Sequence, residues 1–220
     1  MLSQRRPRKH ATVPFNPADN LRWAPALELA RECEYEADHA HQVTGLALRL
    51  FDEFGRPAGL EGRWRACLTN AGLLHDIGWI EGRAGHHKTA LRLIRESPHL
   101  RWSPRMRLMV GAVARYHRGA LPRLDQACFG ALAAADRDIV RKLAALLRLA
   151  DGLDYTHQSL VRDVQGRITP ERIELVCLVR APASDEIERA RKKSDLLRRV
   201  FNREVDVQCR LSETEPSARS

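Results

Sequence analysis

Aromatic residues are scarce in the 220-residue sequence, and several widespread motifs do not occur in it. Phe, Trp and Tyr make up 5% of the chain, whereas Ala, Leu and Arg are abundant, a composition that favours helices over sheets. No GxGxxG, GxxxxGKS/T or GxSxG pattern is found, so nucleophilic catalysis by a side chain is not predicted. No run of 18 uncharged apolar residues occurs, and we therefore expect no transmembrane helix.

Paired cysteines are also lacking. The five cysteines are widely scattered and none has CxxC spacing, which argues against a zinc ribbon or a redox pair. We interpret them as reduced, mostly buried small hydrophobic residues. The N-terminus is basic but has no apolar segment behind it, so no secretory signal is predicted. A cytoplasmic location is the expectation.

The charge of the chain is unbalanced, with 37 Lys and Arg against 28 Asp and Glu and a formal net charge of +9. A basic surface suits an anionic partner such as a nucleotide, polyphosphate or nucleic acid. An Arg-rich overall composition would produce the same surplus without any such partner. Nucleic-acid binding would depend on charge alone, because no HTH, RRM or OB signature is present, and we do not favour it.

The periodicity of apolar residues predicts a mainly α protein, a helical bundle followed by a small α+β appendage. We expect a basic arm at 1–22, the bundle at 23–158, the appendage at 159–211 and a disordered tail at 212–220. Strands are predicted at 161–168, 171–181 and 204–211, with one helix at 185–202. The six predicted helices of the bundle cover 26–37, 38–54, 63–78, 86–97, 103–118 and 134–155.

Five of these helices carry a metal-competent side chain on the apolar stripe that should face the core. A single histidine in such a position is usually a core residue, but five coincidences predict that the side chains converge. Asp76, next to one of them in AGLLHDIGWI, needs a partner or a cation if it is buried. Imidazole and carboxylate groups suit Mn, Fe, Zn or Mg. The five residues are His39, His75, His86, His117 and Asp151.

The order His39, His75-Asp76 and Asp151 resembles the H…HD…D signature of the HD-domain metal-dependent phosphohydrolases. The blocks DHAHQVTGLALRLFDEF, LLHDIGWIEGRAGHHKTALRLI, VARYHRGALP and AALLRLADGLDYTH sharpen this resemblance. They are similar to the C-terminal HD-like region of the exopolyphosphatase/guanosine pentaphosphate phosphatase family, over residues 25–210. In that family, catalysis is assigned to an N-terminal actin-like ATPase-fold domain that this sequence lacks. We therefore expect any activity to depend on the HD-like region or on a partner.

The resemblance implies one or two divalent metal ions. Four ligands, His39, His75, Asp76 and Asp151, suffice for one ion, and Asp76 and His75 are the implied catalytic residues. His86 and His117 lie at positions similar to the additional ligands of binuclear HD phosphodiesterases, where they would supply a second metal site or contact phosphate. The choice of His86 over His87 rests on that alignment.

Basic residues beside these ligands are candidates for binding substrate phosphates: Lys88, Arg118 and Arg148. Ordinary surface charge is the alternative for each. Asp154 either orients a ligand histidine or caps a helix. Trp102 is interpreted as a packing residue, although it could also wall a pocket.

These features favour a divalent-metal-dependent phosphohydrolase acting on a nucleotide, an alarmone such as (p)ppGpp, or polyphosphate. The alternative is a non-catalytic module that binds polyphosphate or nucleotide, retains the metal for stability, and forms a homodimer. A third hypothesis is a basic module that docks on nucleic acid through its N-terminal arm. The sequence does not choose among the substrates or between one ion and two.

Overall fold

The computed structural model describes residues 23–212, and the predicted arm (1–22) and most of the predicted tail lie outside them. Within this range the protein has nine α-helices and one small sheet, which confirms the predicted mainly α fold with a C-terminal α+β part. The helices are α1 (Ala24–Glu32), α2 (Ala37–Phe54), α3 (Arg65–Leu74), α4 (His86–Glu96), α5 (Pro104–Arg115), α6 (Ala127–Gly130), α7 (Ala134–Gly152), α8 (Ser184–Lys193) and α9 (Asp195–Phe201). Short 3-10 helices cover Gly62–Trp64 and Ile77–Glu81.

Local sequence signals account for several helix ends. At the start of α5, the Ser103 side chain accepts a hydrogen bond from the Met106 backbone N–H at 3.2 Å, and Pro104 takes the first helical position. Helix α4 begins after Gly85, which has a positive φ of 75°. These signals are local, so the predicted and observed bounds of α4 and α5 differ by at most three residues.

Several predicted helices are shorter than expected, and the one predicted at 26–37 is observed as α1 and ends at Glu32. Helix α3 ends at Leu74 rather than at Gly78, because Asp76 has φ −110° and ψ 4°, outside the helical region. The predicted helix at 185–202 is divided at Ser194 into α8 and α9. The Ser194 hydroxyl donates to the Arg191 carbonyl at 2.7 Å, a local hydrogen bond that competes with the helical pattern.

The sheet has the order β1-β2-β3, with β1 at Val161–Ile168, β2 at Arg172–Val179 and β3 at Glu204–Leu211. Strands β1 and β2 form an antiparallel hairpin in which Gly166 pairs with Leu175. Strand β3 runs parallel to β2, pairing Val207 with Leu175, because α8 and α9 form the crossover between them. The bounds of β1 and β3 are those predicted from the alternating pattern.

The sheet region packs closely against the bundle at two glycines. A Cβ on Gly166 of β1 would lie 2.3 Å from the Phe54 ring at the end of α2. A Cβ on Gly152, the last residue of α7, would lie 3.0 Å from the Cα of Ala190 on α8. Helix α8 can therefore approach α7 to backbone contact. No helix in residues 23–212 is sufficiently long and apolar to cross a membrane.

Candidate metal centre

The side chains expected to face the core do meet at one place in the bundle. Four histidine rings and Asp151 are buried there, whereas the Asp76 side chain retains 18% of its exposure. The group is assembled from five segments that are distant in sequence: His39 lies on α2, His75 follows α3, His86 begins α4, His117 follows α5 and Asp151 lies on α7.

Asp76 is at the middle of the group. Its Oδ2 atom faces two imidazole Nε2 atoms and its Oδ1 atom faces two others, all within 4 Å. The Nε2–O distances are 3.8 Å for His39, 3.5 Å for His75, 3.1 Å for His86 and 3.4 Å for His117. His86 rather than His87 thus turns its ring toward the carboxylate.

The other ring nitrogen of each histidine is held by an oxygen acceptor. Since carbonyl and carboxylate oxygens only accept, each Nδ1 carries the proton and each Nε2 presents a lone pair to the centre. The Nδ1 contacts are His39 to Asp154 Oδ2 at 2.8 Å, His75 to Gly72 O at 2.7 Å, His86 to Arg83 O at 2.9 Å, and His117 to Ala114 O at 2.6 Å.

Acceptor atoms therefore face acceptor atoms. Burial lowers the pKa of His75 to about 4 and that of His117 well below its usual range, so both rings are neutral near pH 7. Burial acts to raise the pKa of Asp76, and the imidazoles around it, His75 foremost, act to lower that pKa only when they are protonated. Among the described residues, His39 Nε2, His75 Nε2 and Asp76 Oδ1 have no hydrogen-bond partner. A cation is the chemical species that satisfies such a set.

The donor atoms fall into two groups that share Asp76. His39, His75 and Asp76 form one trio, and Asp76, His86 and His117 form the other, each with ligand atoms within 4.8 Å of one another. Asp151 joins the first trio, because its Oδ1 lies 3.6 Å from His39 Nε2 and 4.0 Å from His75 Nε2. The two oxygens of Asp76 point to different trios, an arrangement that suits a carboxylate shared by two ions.

Lys193 is a member of the site that the sequence analysis missed. Its Nζ donates to Asp151 Oδ2 from the last turn of α8, in the C-terminal part of the chain. Burial, together with the charges of Arg148 and Arg118, lowers the pKa of Lys193 to about 7. The sequence offered only a helical offset of three from the apolar Ala190, because the burial of Glu186 on the same face is seen only in the structure.

The three basic residues proposed for substrate have different surroundings. Arg118 is exposed and its Nη1 lies 3.5 Å from His86 Nε2, at the edge of the centre. Lys88 lies on the exposed side of α4. Arg148 is buried, and its guanidinium donates to both carboxylate oxygens of Asp195, at 2.7 and 3.0 Å, and to two backbone carbonyls. Protein groups therefore occupy most of the Arg148 donors.

A further layer covers His39. The buried Asp154 accepts from His39 Nδ1 and, through its other oxygen, from the Ser159 backbone N–H at 2.8 Å. Of the two interpretations of Asp154, orientation of a ligand histidine is the one that these contacts favour. The His157 ring stacks on His39 with centroids 3.7 Å apart, and its Nδ1 bonds Glu36 at 2.8 Å. No motif in the sequence marks His157 as part of the site.

Comparison with known proteins identifies a family for this chain. The family model described as Ppx/GppA phosphatase, domain III, matches residues 21–180, which is more than two thirds of the 220-residue chain. A comparison with curated proteins finds no match. The chain belongs to the Ppx/GppA phosphatase family, within which it corresponds to domain III.

Proposed function

We propose that this protein is a divalent-metal-dependent phosphohydrolase of the HD type that acts on a nucleotide, an alarmone or a polyphosphate-like substrate. The observation that carries the proposal is the convergence of four imidazole lone pairs on the Asp76 carboxylate. Membership of a phosphatase family supports the reaction class. His39, His75, Asp76 and Asp151 would hold one ion, and Asp76, His86 and His117 a second.

The donor set narrows the choice of metal. Imidazole-rich sites suit Fe and Zn, and mixed imidazole and carboxylate sites also suit Mn, whereas Mg prefers oxygen ligands and water. Mn, Fe or Zn is therefore the expected occupant. A divalent ion held here supplies Lewis-acid polarisation of a phosphoryl oxygen and makes water more acidic.

The chain's own residues have separable tasks in this proposal. His75 and Asp76 bind and orient, and Asp76 Oδ1, which has no hydrogen-bond partner among the described residues, accepts a proton from water. Lys193 and Arg118 are the cations next to the centre and contact the phosphate oxygens. Arg148 contributes indirectly, by holding α9 through Asp195.

The test is the metal content per chain, measured by elemental analysis on protein purified without chelator, for wild type and Asp76→Ala. One or two equivalents of Mn, Fe or Zn in wild type and none in Asp76→Ala are expected. Asp138→Ala is the matched control, because Asp138 is an exposed carboxylate on α7 that pairs with Lys142. A folded wild type that contains no metal and takes up none of added Mn, Fe and Zn would contradict the proposal.

Phosphate release from nucleotides, alarmones and polyphosphate then separates an enzyme from a non-catalytic binding module. For the hydrolase, Asp76→Ala abolishes turnover while substrate affinity survives. For a module that keeps metal only for stability, wild type releases no phosphate, and Asp76→Ala lowers the unfolding temperature instead.

A further inference from the structure

The turn after α7 has an unusual backbone. His157 has φ 59° and Ser159 has φ 50°, in the left-handed region that residues other than glycine rarely adopt. Such a conformation costs free energy, persists only where the surrounding contacts hold it, and is frequent at functional sites. Glycine adopts these angles without strain, yet position 157 carries an imidazole. The contacts of that imidazole are therefore informative.

The His157 side chain lies flat on one face of His39. The two ring centroids are 3.7 Å apart and the ring planes are within 4° of parallel. The Nδ1 atom of His157 donates to the Glu36 carboxylate at 2.8 Å, because an ionised carboxylate only accepts. Glu36 immediately precedes α2, the helix that carries His39. The His157 ring is therefore held against His39 by the helix to which His39 itself belongs.

The stack restrains a motion of His39 that its hydrogen bond leaves free. The Asp154 carboxylate fixes the position of Nδ1, but a ring held by one hydrogen bond can still tilt about that contact. The χ2 angle of histidine has broad minima, so the covalent structure does not prevent the tilt. A parallel ring 3.7 Å away does prevent it, because a tilt would bring ring atoms closer than their optimal separation of roughly 3.5–4.0 Å. Together, the two contacts fix the direction of the Nε2 lone pair.

The turn is anchored to the C-terminal part of the chain. The backbone N–H and the hydroxyl of Thr156 both donate to Oε1 of Glu186, a buried residue of α8. The Ser159 backbone N–H donates to Asp154 at 2.8 Å. These hydrogen bonds flank position 157 on both sides and hold the turn in its left-handed conformation. The His157 ring is therefore carried by a fixed backbone.

We propose that His157 is a positioning residue of the metal centre, which fixes the tilt of the His39 ring and so the direction in which its Nε2 atom meets the ion. The inference rests on the proposed metal-dependent function and assigns His157 no contact with the ion or with substrate. A ligand that is already oriented loses less conformational freedom when it binds, so the stack raises the affinity for metal. The strained backbone of the turn is the cost of this restraint.

The experiment is competition between the full-length chain and a fluorescent chelator for Co²⁺, together with the visible absorption spectrum of the Co²⁺-loaded chain. His157→Asn removes the ring, and asparagine tolerates the left-handed conformation. We expect about tenfold weaker Co²⁺ binding and a shifted spectrum, since groups that orient a metal ligand contribute on this scale. Where two equivalents bind, only the one held by the trio of His39 should weaken. His157→Phe keeps a flat ring and should restore most of the affinity and the wild-type spectrum.

The matched control is Gln158→Ala, because Gln158 is the exposed neighbour of His157 in the same turn and should not affect Co²⁺ binding. Glu36→Ala releases the His157 ring and should weaken binding about threefold, which keeps the proposal testable if His157→Asn does not fold. Wild-type affinity and spectrum in His157→Asn and Glu36→Ala would overturn the proposal, as would a His157→Phe variant as weak as His157→Asn. A wild type that binds no Co²⁺ would overturn the metal-dependent function itself, and this inference with it.

Discussion

Asp154 accepts a hydrogen bond from Nδ1 of His39 at 2.8 Å, although the two residues are 115 positions apart in the chain. Both side chains are buried, and the other Asp154 oxygen is occupied by the Ser159 backbone N–H. The pair joins α2 to the turn after α7 and fixes which His39 nitrogen faces the centre.

Asp154→Asn should weaken metal binding without unfolding the protein. The amide can still accept from Ser159, but its nitrogen cannot accept from His39 Nδ1, so the ring loses its orientation. Loss of such a partner typically costs about 10–100-fold in metal affinity. Competition with a fluorescent chelator measures the change, with the exposed Asp138→Asn as control. Equal affinities for the two variants would remove Asp154 from the metal-binding role.

Lys193→Met should affect substrate rather than metal. The ammonium that contacts Asp151 is lost, so the KM for the substrate that is hydrolysed fastest should rise about tenfold, since a charge-assisted contact is removed. Elemental analysis should still find the wild-type metal content. Lys192→Met is the matched control, because Lys192 is exposed and pairs with Glu188. An increase in KM of the same size in both variants would show that general surface charge is responsible.

Arg148→Met should destabilise the fold. The Arg148 side chain is 9% exposed and its ion pair with Asp195 is largely buried, but Asp195 itself is 34% exposed, so solvent screens part of the loss. We expect the free energy of unfolding to fall by about 2–4 kcal/mol in urea titration. Arg199→Met, on the exposed side of α9, should change it by less than about 0.5 kcal/mol. A metal-loaded Arg148→Met variant of wild-type stability would contradict the structural role.

Gly78→Ala should disturb the second trio of ligands. A Cβ at Gly78 would lie 2.0 Å from the His86 carbonyl oxygen, so the start of α4 must move and take the His86 ring with it. Overpacking of this kind costs about 1–3 kcal/mol, and we expect one equivalent of metal to be lost before the other. Gly62→Ala is the control, since no atom lies within 4 Å of its added Cβ. If Gly78→Ala keeps wild-type stability and metal content, the backbones at Gly78 and His86 can move apart without affecting the metal centre.

Much of the fold was predictable because the signals involved are local. The alternating pattern predicts β1 and β3 with their observed bounds, and the amphipathic stripes predict the helices that carry His39 and Asp151. Each stripe reports which face of a helix is buried. When several of these buried helix faces pack into one core, the polar residues on them must also come close together, whatever the loops between the helices.

The remaining features depend on contacts between distant segments. Helix α3 ends at Leu74, and Gly78 just after it approaches the His86 carbonyl of α4, a contact that no local propensity encodes. Lys193 reaches Asp151 because Gly152 lets α8 approach α7, 42 residues later in the chain. His157 likewise stacks on His39 through a turn at positive φ that brings two remote segments together.

The four imidazoles differ in how strongly a mutation elsewhere can disturb their orientation. Three of the rings donate to a main-chain carbonyl three residues earlier in their own segment. A main-chain carbonyl survives almost any side-chain substitution, so the orientation of these rings is insulated from mutation. His39 instead depends on the Asp154 carboxylate, a group that a single codon change removes. Related chains that lose the metal centre should therefore lose the His39–Asp154 pair first. Reintroducing this pair is the smallest change that should restore a lost site.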